Sequence, residues 1–207
     1  MSASRNIKYP LRTKRKAETH RKIAEAAQGL FFSKGYEATT LDEVADVAGV
    51  HVQTLYRHFS TKQELASSGD QRWFDHFKAR LTDPNRSGNT FDFWRRWIGK
   101  SFRYLTQDGD ERYRQYIRTR HANPPILGYL STIRADYEDV LCQSLARDFG
   151  MPADGVGEPR LAAGMLIAGS SYVMRRYEVE DIDIVTEAIL VIDQVEALFS
   201  HLLVERQ

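Results

Sequence analysis

Apolar residues recur at spacings of three and four along almost the whole of this 207-residue chain. In residues 17–35, for example, Ile23, Ala27 and Leu30 share one face of a helix. No segment shows a convincing alternation of apolar and polar residues, the pattern that indicates a β-strand. The sequence therefore predicts an all-α fold, in which helices and the turns between them carry the function.

Glycine, proline and helix-capping residues divide this pattern into segments. After the helix at 17–35 we expect two short helices within 40–59 and a helix at 61–81. A capping box opens the first of the two short helices, and another opens the helix at 61–81. Longer helices follow after a loop at 83–89. We predict them at 90–107, 110–122, 126–149, 159–177 and 183–205.

Composition excludes several classes of protein. Apolar residues make up 42% and charged residues 28% of the chain, as in globular domains rather than disordered ones. No stretch approaches the roughly 18–20 apolar residues of a membrane helix, and the N-terminus has no apolar signal core. The single cysteine, Cys142, excludes a disulfide within the chain and predicts a small buried residue. A single cysteine is typical of a protein in a reducing cytoplasm, and we expect that location here.

Charge is distributed unevenly. Residues 1–62 carry 11 Lys and Arg against 6 Asp and Glu, whereas residues 63–207 carry 18 against 22. A basic N-terminal part on a mildly acidic remainder suggests that a polyanion binds at one end. The alternative is a solubilising tail.

Residues 40–59 contain the motif that most directly suggests a function. Thr40 and Glu43 can form a capping box, Gly49 ends the first short helix, and a second helix follows to Phe59. Two short helices joined by a tight glycine turn are typical of a helix-turn-helix, whose second helix enters the major groove of DNA. The alternative is a helical hairpin in which aromatic side chains fill a core.

Residue types in the second helix suit DNA. If Val50, Leu55 and Phe59 face inward, Val52 and Gln53 are left on other faces. Glutamine can pair with adenine through two hydrogen bonds, and valine can contact a thymine methyl group.

Several clusters in this region resemble the DNA-binding domain of the tetracycline-repressor (TetR) family. The resemblance covers about residues 17–77 without a gap, and the remaining residues are similar only in length and helical character. The clusters are Gly35-Tyr36-Glu37-Ala38-Thr39-Thr40, Val44-Ala45, Ala48-Gly49-Val50, Thr54-Leu55-Tyr56-Arg57-His58-Phe59 and Lys62-Gln63-Glu64-Leu65.

The resemblance implies a chain of about nine helices with three parts: a basic flexible arm (1–16), a DNA-binding head (17–77, with the helix-turn-helix at 40–59) and a ligand-binding and dimerisation body (78–207). It implies a homodimeric, sequence-specific regulator of transcription, most often a repressor that a small molecule releases from a palindromic operator. It also implies a bacterial cytoplasmic protein, which is associated with the nucleoid when it is bound to DNA. The residues that match the family's DNA contacts are Thr40, Val52, Gln53, Thr54, Tyr56, His58 and Lys62.

One position departs from the family pattern. His51 stands where Ser or Thr usually opens the recognition helix, and histidine is a weak cap. His51 either caps poorly or contacts a phosphate. The basic residues Arg12, Lys14, Arg15 and Lys16 could enter the minor groove, or attract phosphates without specificity.

For the effector we expect a small apolar, aromatic or acyl molecule. Aromatic residues at helical spacing form either a core or a pocket, and the resemblance favours a pocket. The candidate lining residues are Trp73, Phe77, Trp94, Trp97, Tyr113, Tyr116, Arg134, Tyr137 and Met165.

Charged residues in the body allow two interpretations. Arg114, Arg118 and His121 share one helical face, which is either a solvated surface or, if inward, a site for a carboxylate or phosphate. The acids at 178–183 lack His or Asn partners at metal spacing, so we expect them to be solvated.

The last two helices, at 159–177 and 183–205, suggest a dimer interface. The first is rich in small residues and the second has an apolar band wider than one neighbour requires. Completion of the monomer core is the alternative, and the resemblance favours the dimer.

Two other functional classes have weaker support. The sequence contains no glycine-rich phosphate loop, His-Glu-x-x-His or nucleophile elbow, so we expect no enzyme, cofactor or metal, although a helical enzyme without a known motif is conceivable. A helical adaptor that binds only protein would leave the basic head unexplained.

Overall fold

The computed structural model of the chain describes residues 10–107, 109–153 and 155–204. These residues form nine α-helices and no strand, which confirms the all-α prediction. The helices are α1 (Pro10–Lys34), α2 (Leu41–Ala48), α3 (Val52–His58), α4 (Lys62–Leu81), α5 (Thr90–Thr106), α6 (Asp110–His121), α7 (Pro124–Phe149), α8 (Glu158–Val179) and α9 (Ile184–Phe199), followed by a 3₁₀ turn (Ser200–Leu202). No helix in the described part of the chain is both long and apolar enough to cross a membrane.

The chain divides into two compact units, residues 1–69 and 70–207. We call them the head and the body. The division falls inside α4, between Gly69 and Asp70, whereas the sequence suggested a boundary after residue 77.

Helix α1 begins at Pro10, so residues 10–16, which we assigned to the basic arm, are helical. Proline is tolerated at the first position of a helix because its missing N–H has no helical acceptor there. The Lys, Arg, Ala and Glu residues that follow favour the helix. The rest of the predicted arm, residues 1–9, and the side chain of Arg12 lie outside the described part.

The head has a small apolar core. Leu55 and Phe59 are buried as predicted, and Val50 is half-buried. The core side chains contributed by the other helices of the head are Ile23, Ala27 and Phe31 from α1, Val44 and Ala45 from α2, and Leu65 from α4.

The start of α4 departs in one detail from the predicted capping box. The Thr61 hydroxyl accepts a hydrogen bond from the Glu64 N–H at 3.0 Å. Glu64 Oε2, however, accepts from the N–H of Ser60 at 2.7 Å rather than from that of Thr61. The hydrogen bond to the Glu64 carboxylate thus comes from one residue earlier in the chain than a capping box requires.

In the body, α8 and α9 approach each other closely. A β-carbon on Gly169 would lie 2.2 Å from Val191 Cγ1, well inside van der Waals contact. Gly169 therefore allows these two helices to pack within one chain. This accounts for part of the small-residue pattern that we had assigned to the dimer interface.

A buried polar network joins α5 to α7. Asp148 Oδ2 accepts hydrogen bonds from the Thr90 N–H at 2.6 Å and from the Thr90 hydroxyl at 2.5 Å. Arg86 Nη2 lies 3.6 Å from Asp148 Oδ1, and both side chains are almost fully buried. Asp148 thus satisfies the first N–H group of α5 and balances a buried guanidinium.

Replacing Asp148 should therefore destabilise the body. Asp148→Ala leaves a buried charge and two buried donors without their acceptor, and we expect a loss of about 3 kcal/mol in the free energy of unfolding. Urea unfolding followed by circular dichroism measures this loss. Asp136→Ala, at an exposed position of α7, is the matched control and should change stability by less than about 0.5 kcal/mol. Equal effects of the two substitutions would contradict the role of Asp148.

Candidate functional site

The turn between α2 and α3 has the geometry of a helix-turn-helix. The Thr40 hydroxyl accepts from the Glu43 N–H at 3.2 Å, and Glu43 Oε2 accepts from the Thr40 N–H at 2.9 Å, which completes the predicted capping box. Gly49 ends α2 with φ 66° and ψ 39°, in the left-handed region that favours glycine. The Val50 N–H then bonds to the Ala45 carbonyl at 3.0 Å, so the chain turns directly into α3.

Helix α3 presents a polar outer face. Leu55 points into the core, and Gln53, Tyr56 and Arg57 are exposed. Val52 and Thr54 are half-buried, and Arg57 Nη2 donates to the Thr54 hydroxyl at 3.3 Å. Five of the seven predicted DNA contacts therefore belong to one short helix: Val52, Gln53, Thr54, Tyr56 and His58.

The capping position of α3 is weak, as expected. His51 is the N-cap residue, its side chain is exposed, and it makes no capping hydrogen bond. The first N–H groups of α3 therefore donate no hydrogen bond to the side chain of His51.

His58 is oriented towards α1. Its ring lies 5.9 Å from that of His20, and its Nδ1 is buried without a hydrogen-bond partner among the described residues. Burial lowers the pKa of His58, and the neighbouring basic groups of His20, Lys16 and Arg57 lower it further. His58 is therefore neutral at pH 7, which weakens it as a cationic phosphate contact.

Lys62 is also engaged within the head. Its Nζ lies 4.3 Å from the centre of the Tyr36 ring and donates to the Glu37 carbonyl at 3.4 Å. Thr40, the remaining predicted contact, is exposed but occupied as a cap. Both side chains help to shape the head, and any phosphate contact is additional to that role.

Five of the nine predicted ligand-site residues meet in the body. Phe77 is fully buried and lies 4.6 Å from Tyr137, 5.5 Å from Trp94 and 5.3 Å from Trp97, measured between ring centres. Trp73 lies 5.2 Å from Trp97. We call these rings, together with the neighbouring Phe74, the aromatic cluster. Its members are Trp73, Phe74, Phe77, Trp94, Trp97 and Tyr137.

Two further candidates, Tyr113 and Tyr116, form a separate group with a residue that the sequence did not single out. Arg120 donates to the Tyr116 hydroxyl at 2.8 Å and forms an ion pair with Asp70 on α4. Burial raises the pKa of Asp70, and the charge of Arg120 opposes that rise. Asp70 and Arg120 are far apart in the chain, so no local pattern could have paired them.

The last two candidates belong to neither group. Arg134 is half-buried. Burial lowers the pKa of its guanidinium, and the charge of Arg175 lowers it further. Met165 is half-buried on α8, where its spacing places it on the same face as the exposed residues Leu161 and Tyr172.

The basic face of α6 binds the end of α8 and the residues after it. Arg114 Nη1 donates to the Glu180 carbonyl at 2.7 Å, and Arg118 Nη2 donates to the Glu178 carbonyl at 3.0 Å. His121 Nδ1 lies against Glu178 Oε1. Arg114 and His121 are half-buried in these contacts and Arg118 is exposed, so this face of α6 is not an open anion site. Glu178 is half-buried rather than solvated.

Asp183 also has a structural role, because its carboxylate caps α9 by accepting from Val185 and Thr186. Over the ranges that the structure covers, no group of three or more His, Cys, Asp or Glu residues could hold a metal ion. Cys142 is buried as predicted.

Comparison with known proteins identifies the head. Residues 23–68 match the family model described as bacterial regulatory proteins, tetR family, and this range contains the whole of α2, the turn and α3. This part of the chain is thus a TetR-type DNA-binding domain. The chain is accordingly a DNA-binding regulator of transcription.

Relatives that match beyond the head are distant. The transcriptional regulator TcmR of Streptomyces glaucescens is 23% identical over 196 residues, which cover 87% of this chain and 84% of TcmR. IcaR, the negative regulator of the biofilm operon icaADBC in Staphylococcus aureus strain Newman, is 27% identical over 128 residues, which cover 61% of this chain and 67% of IcaR. These relatives are regulators, not enzymes.

Solved structures match over most of the chain. SmeT, the repressor of the Stenotrophomonas maltophilia multidrug efflux pump SmeDEF, superposes with a TM-score of 0.65 at 26% identity, covering 87% of this chain and 91% of SmeT. A SmeT–triclosan complex matches with a TM-score of 0.64 at 25% identity, covering 87% of this chain and 90% of that chain. The match therefore includes helices of the body as well as the head.

The capping box leads to a prediction about acid. Hydrogen bonds, first with Lys34 and then with the Thr40 N–H, hold the pKa of Glu43 at about 2, below its ordinary value of 4.5. A carboxyl with a lowered pKa stabilises the head above about pH 4.5, and this contribution disappears as the pH falls towards about 2. Glu43→Gln removes the titration and retains an oxygen that can accept the capping bond.

The melting temperature of wild type should therefore exceed that of Glu43→Gln at pH 6, and the difference should shrink as the pH falls to 3. Thermal unfolding followed by circular dichroism at both values measures it. The control is Asp46→Asn, at an exposed position of the same helix. A difference that stays constant with pH would contradict the assigned pKa.

Proposed function

We propose that the protein is a homodimeric repressor that binds a palindromic operator through α3 and is released by a small aromatic or acyl ligand in the body. The observation that carries this proposal is the exposed polar face of α3 on a head that matches the family model. Such a regulator acts where the chromosome is, in the bacterial cytoplasm.

Readout of the operator is assigned to the outer face of α3. Gln53 can pair with an adenine, and Val52 can contact a thymine methyl group in the major groove. Tyr56 and the cap residue Thr40 are suited to phosphate oxygens, which set the position of the head without reading sequence. His58 and Lys62 are secondary candidates because both are already engaged within the head.

Selection of bound duplexes from a random library tests DNA recognition. With purified full-length protein at near-physiological salt, we expect enrichment of a palindrome, since a two-fold dimer reads two half-sites. Weak, salt-sensitive binding without enrichment would contradict a sequence-specific function.

Gln53→Ala tests the assigned readout on the enriched duplex. The substitution should weaken binding by roughly 1–3 kcal/mol and relax the preference at one base pair of each half-site. Fluorescence anisotropy at fixed salt measures the dissociation constant. Gln143→Ala, at an exposed position of α7, is the matched control and should bind as wild type does. Wild-type affinity and preference in Gln53→Ala would show that another residue reads the operator.

Dimer formation is assigned to α8 and α9. Leu161 and Tyr172 on α8, and Leu190 and Leu198 on α9, are at least half-exposed although they are large and apolar. A stripe of this kind on two neighbouring helices is suited to burial against the same stripe of a second copy.

A charge in this stripe should separate the copies. Leu198→Glu places a carboxylate in an apolar interface, and we expect the dimer to dissociate at least tenfold more readily. Sedimentation velocity over a range of concentrations measures the change. Val156→Glu introduces the same charge at a fully exposed position before α8 and should leave the dimer intact. Unchanged sedimentation of Leu198→Glu would place the interface elsewhere.

Ligand control is assigned to the body. The triclosan complex of SmeT is a precedent for a small aromatic ligand in a related regulator, and the aromatic cluster provides suitable surfaces here. A ligand can release the operator only if it binds one arrangement of the dimer better than the other. Helix α4 contributes to both units, and the Asp70–Arg120 pair connects it to the end of α6, so we propose that the ligand acts through α4.

A further inference from the structure

The aromatic cluster contains a polar group without a partner. Trp94 is only 3% exposed, and its Nε1 is buried with no hydrogen-bond acceptor among the described residues. An indole N–H can donate but cannot accept. A buried donor without an acceptor is unfavourable, and native proteins seldom retain one without a reason.

The neighbouring rings do not supply the missing acceptor. Phe77 meets Trp94 edge to face with its ring centre 5.5 Å away, and its atoms are all carbon. Tyr137, the nearest ring with an oxygen, has its centre 6.2 Å from that of Trp94, and no hydrogen bond joins the two side chains. The described side chains therefore leave the indole N–H without an acceptor, which a ligand that enters the cluster would supply.

The cluster also extends to the surface of the body. Trp73 is 37% exposed, Tyr104 is 57% exposed, and their rings stack with an angle of 18° between the planes. Trp97 is half-buried and contacts both the exposed Trp73 and the buried Phe77. Aromatic surface thus continues from an exposed edge to a buried end where one donor is unpaired. Apolar walls with few polar groups are typical of ligand sites.

We propose that Trp94 determines ligand specificity in the body, by donating a hydrogen bond from its indole N–H to an acceptor atom on a flat aromatic ligand. This inference rests on the proposed function, since it names the chemistry of the ligand that the regulator senses. It selects aromatic molecules with a ring nitrogen, a carbonyl or an ether oxygen over hydrocarbons of the same shape.

Quinoline and naphthalene form a suitable pair of probes. They have nearly the same size and shape, and only quinoline has an acceptor nitrogen. The full-length protein, labelled with ¹⁵N, has three tryptophans and therefore three indole N–H signals. The signal that disappears in Trp94→Phe belongs to Trp94.

We expect quinoline to bind about 3- to 10-fold more tightly than naphthalene, the range for one added hydrogen bond. Quinoline should also move the Trp94 indole proton signal downfield, and naphthalene should not. Trp94→Phe should abolish the preference for quinoline. Trp97→Phe, which removes an indole from the same cluster, is the matched control and should retain the preference.

Equal binding of the two probes to wild type, binding of neither probe, or a preference that survives Trp94→Phe would each overturn the inference. If Trp94→Phe does not fold, the indole signals of the wild-type protein decide the question, because they need no variant. A downfield shift of a buried indole signal with quinoline but not with naphthalene supports the inference. The absence of such a shift overturns it. Binding of the enriched duplex by the same sample without probe tests the regulator separately. Intact duplex binding without a quinoline preference would refute the role of Trp94 and leave the proposed function standing.

Discussion

A seven-residue helix is not stable alone in water, so α3 depends on the burial of Leu55 and Phe59 in the core of the head. This burial determines which side chains remain outside. With Leu55 inward, the helical repeat leaves Gln53, Tyr56 and Arg57 on the outer surface. The surface assigned to DNA is thus a consequence of core packing, and the left-handed turn at Gly49 sets where that surface begins.

Buried polar contacts organise the body in a comparable way. The Asp148 network joins α5 to α7, and the Asp70–Arg120 pair joins α4 to α6. Such contacts have strict geometry, because a charge that loses its partner inside a protein is strongly unfavourable. Apolar packing tolerates small shifts better than these pairs do. We therefore expect rearrangements of α6 to be transmitted to α4 through Asp70 and Arg120.

Local signals predicted much of this architecture. The capping box at Thr40 and Glu43, the glycine turn and the periodic apolar faces identified the helices. The body helices begin and end within two residues of the predicted positions, except that α9 ends at Phe199, before the predicted end at residue 205. The predicted start of α1 was wrong, because we interpreted a basic segment as a flexible arm although its residues favour a helix. The polar outer face of α3 followed from the same periodicity.

Contacts between distant segments could not be predicted in this way. Aromatic spacing identified Phe77, Trp94 and Tyr137 as candidates, but only the fold brings their rings together. The partners of Arg114 and Arg118 are backbone carbonyls at the end of another helix. No pattern of side chains in the sequence can predict such a contact. The packing of His58 on His20 likewise depends on how α1 and α3 meet.

The central claim is that two copies of α3 read two half-sites on DNA. A hydroxyl-radical footprint of the full-length protein on its most enriched duplex tests it most directly. The account predicts two protected tracts related by two-fold symmetry, on one side of the duplex, with centres about 34–36 Å apart or a multiple of that distance. A single tract without symmetry, or protection that moves freely along the duplex, would contradict it.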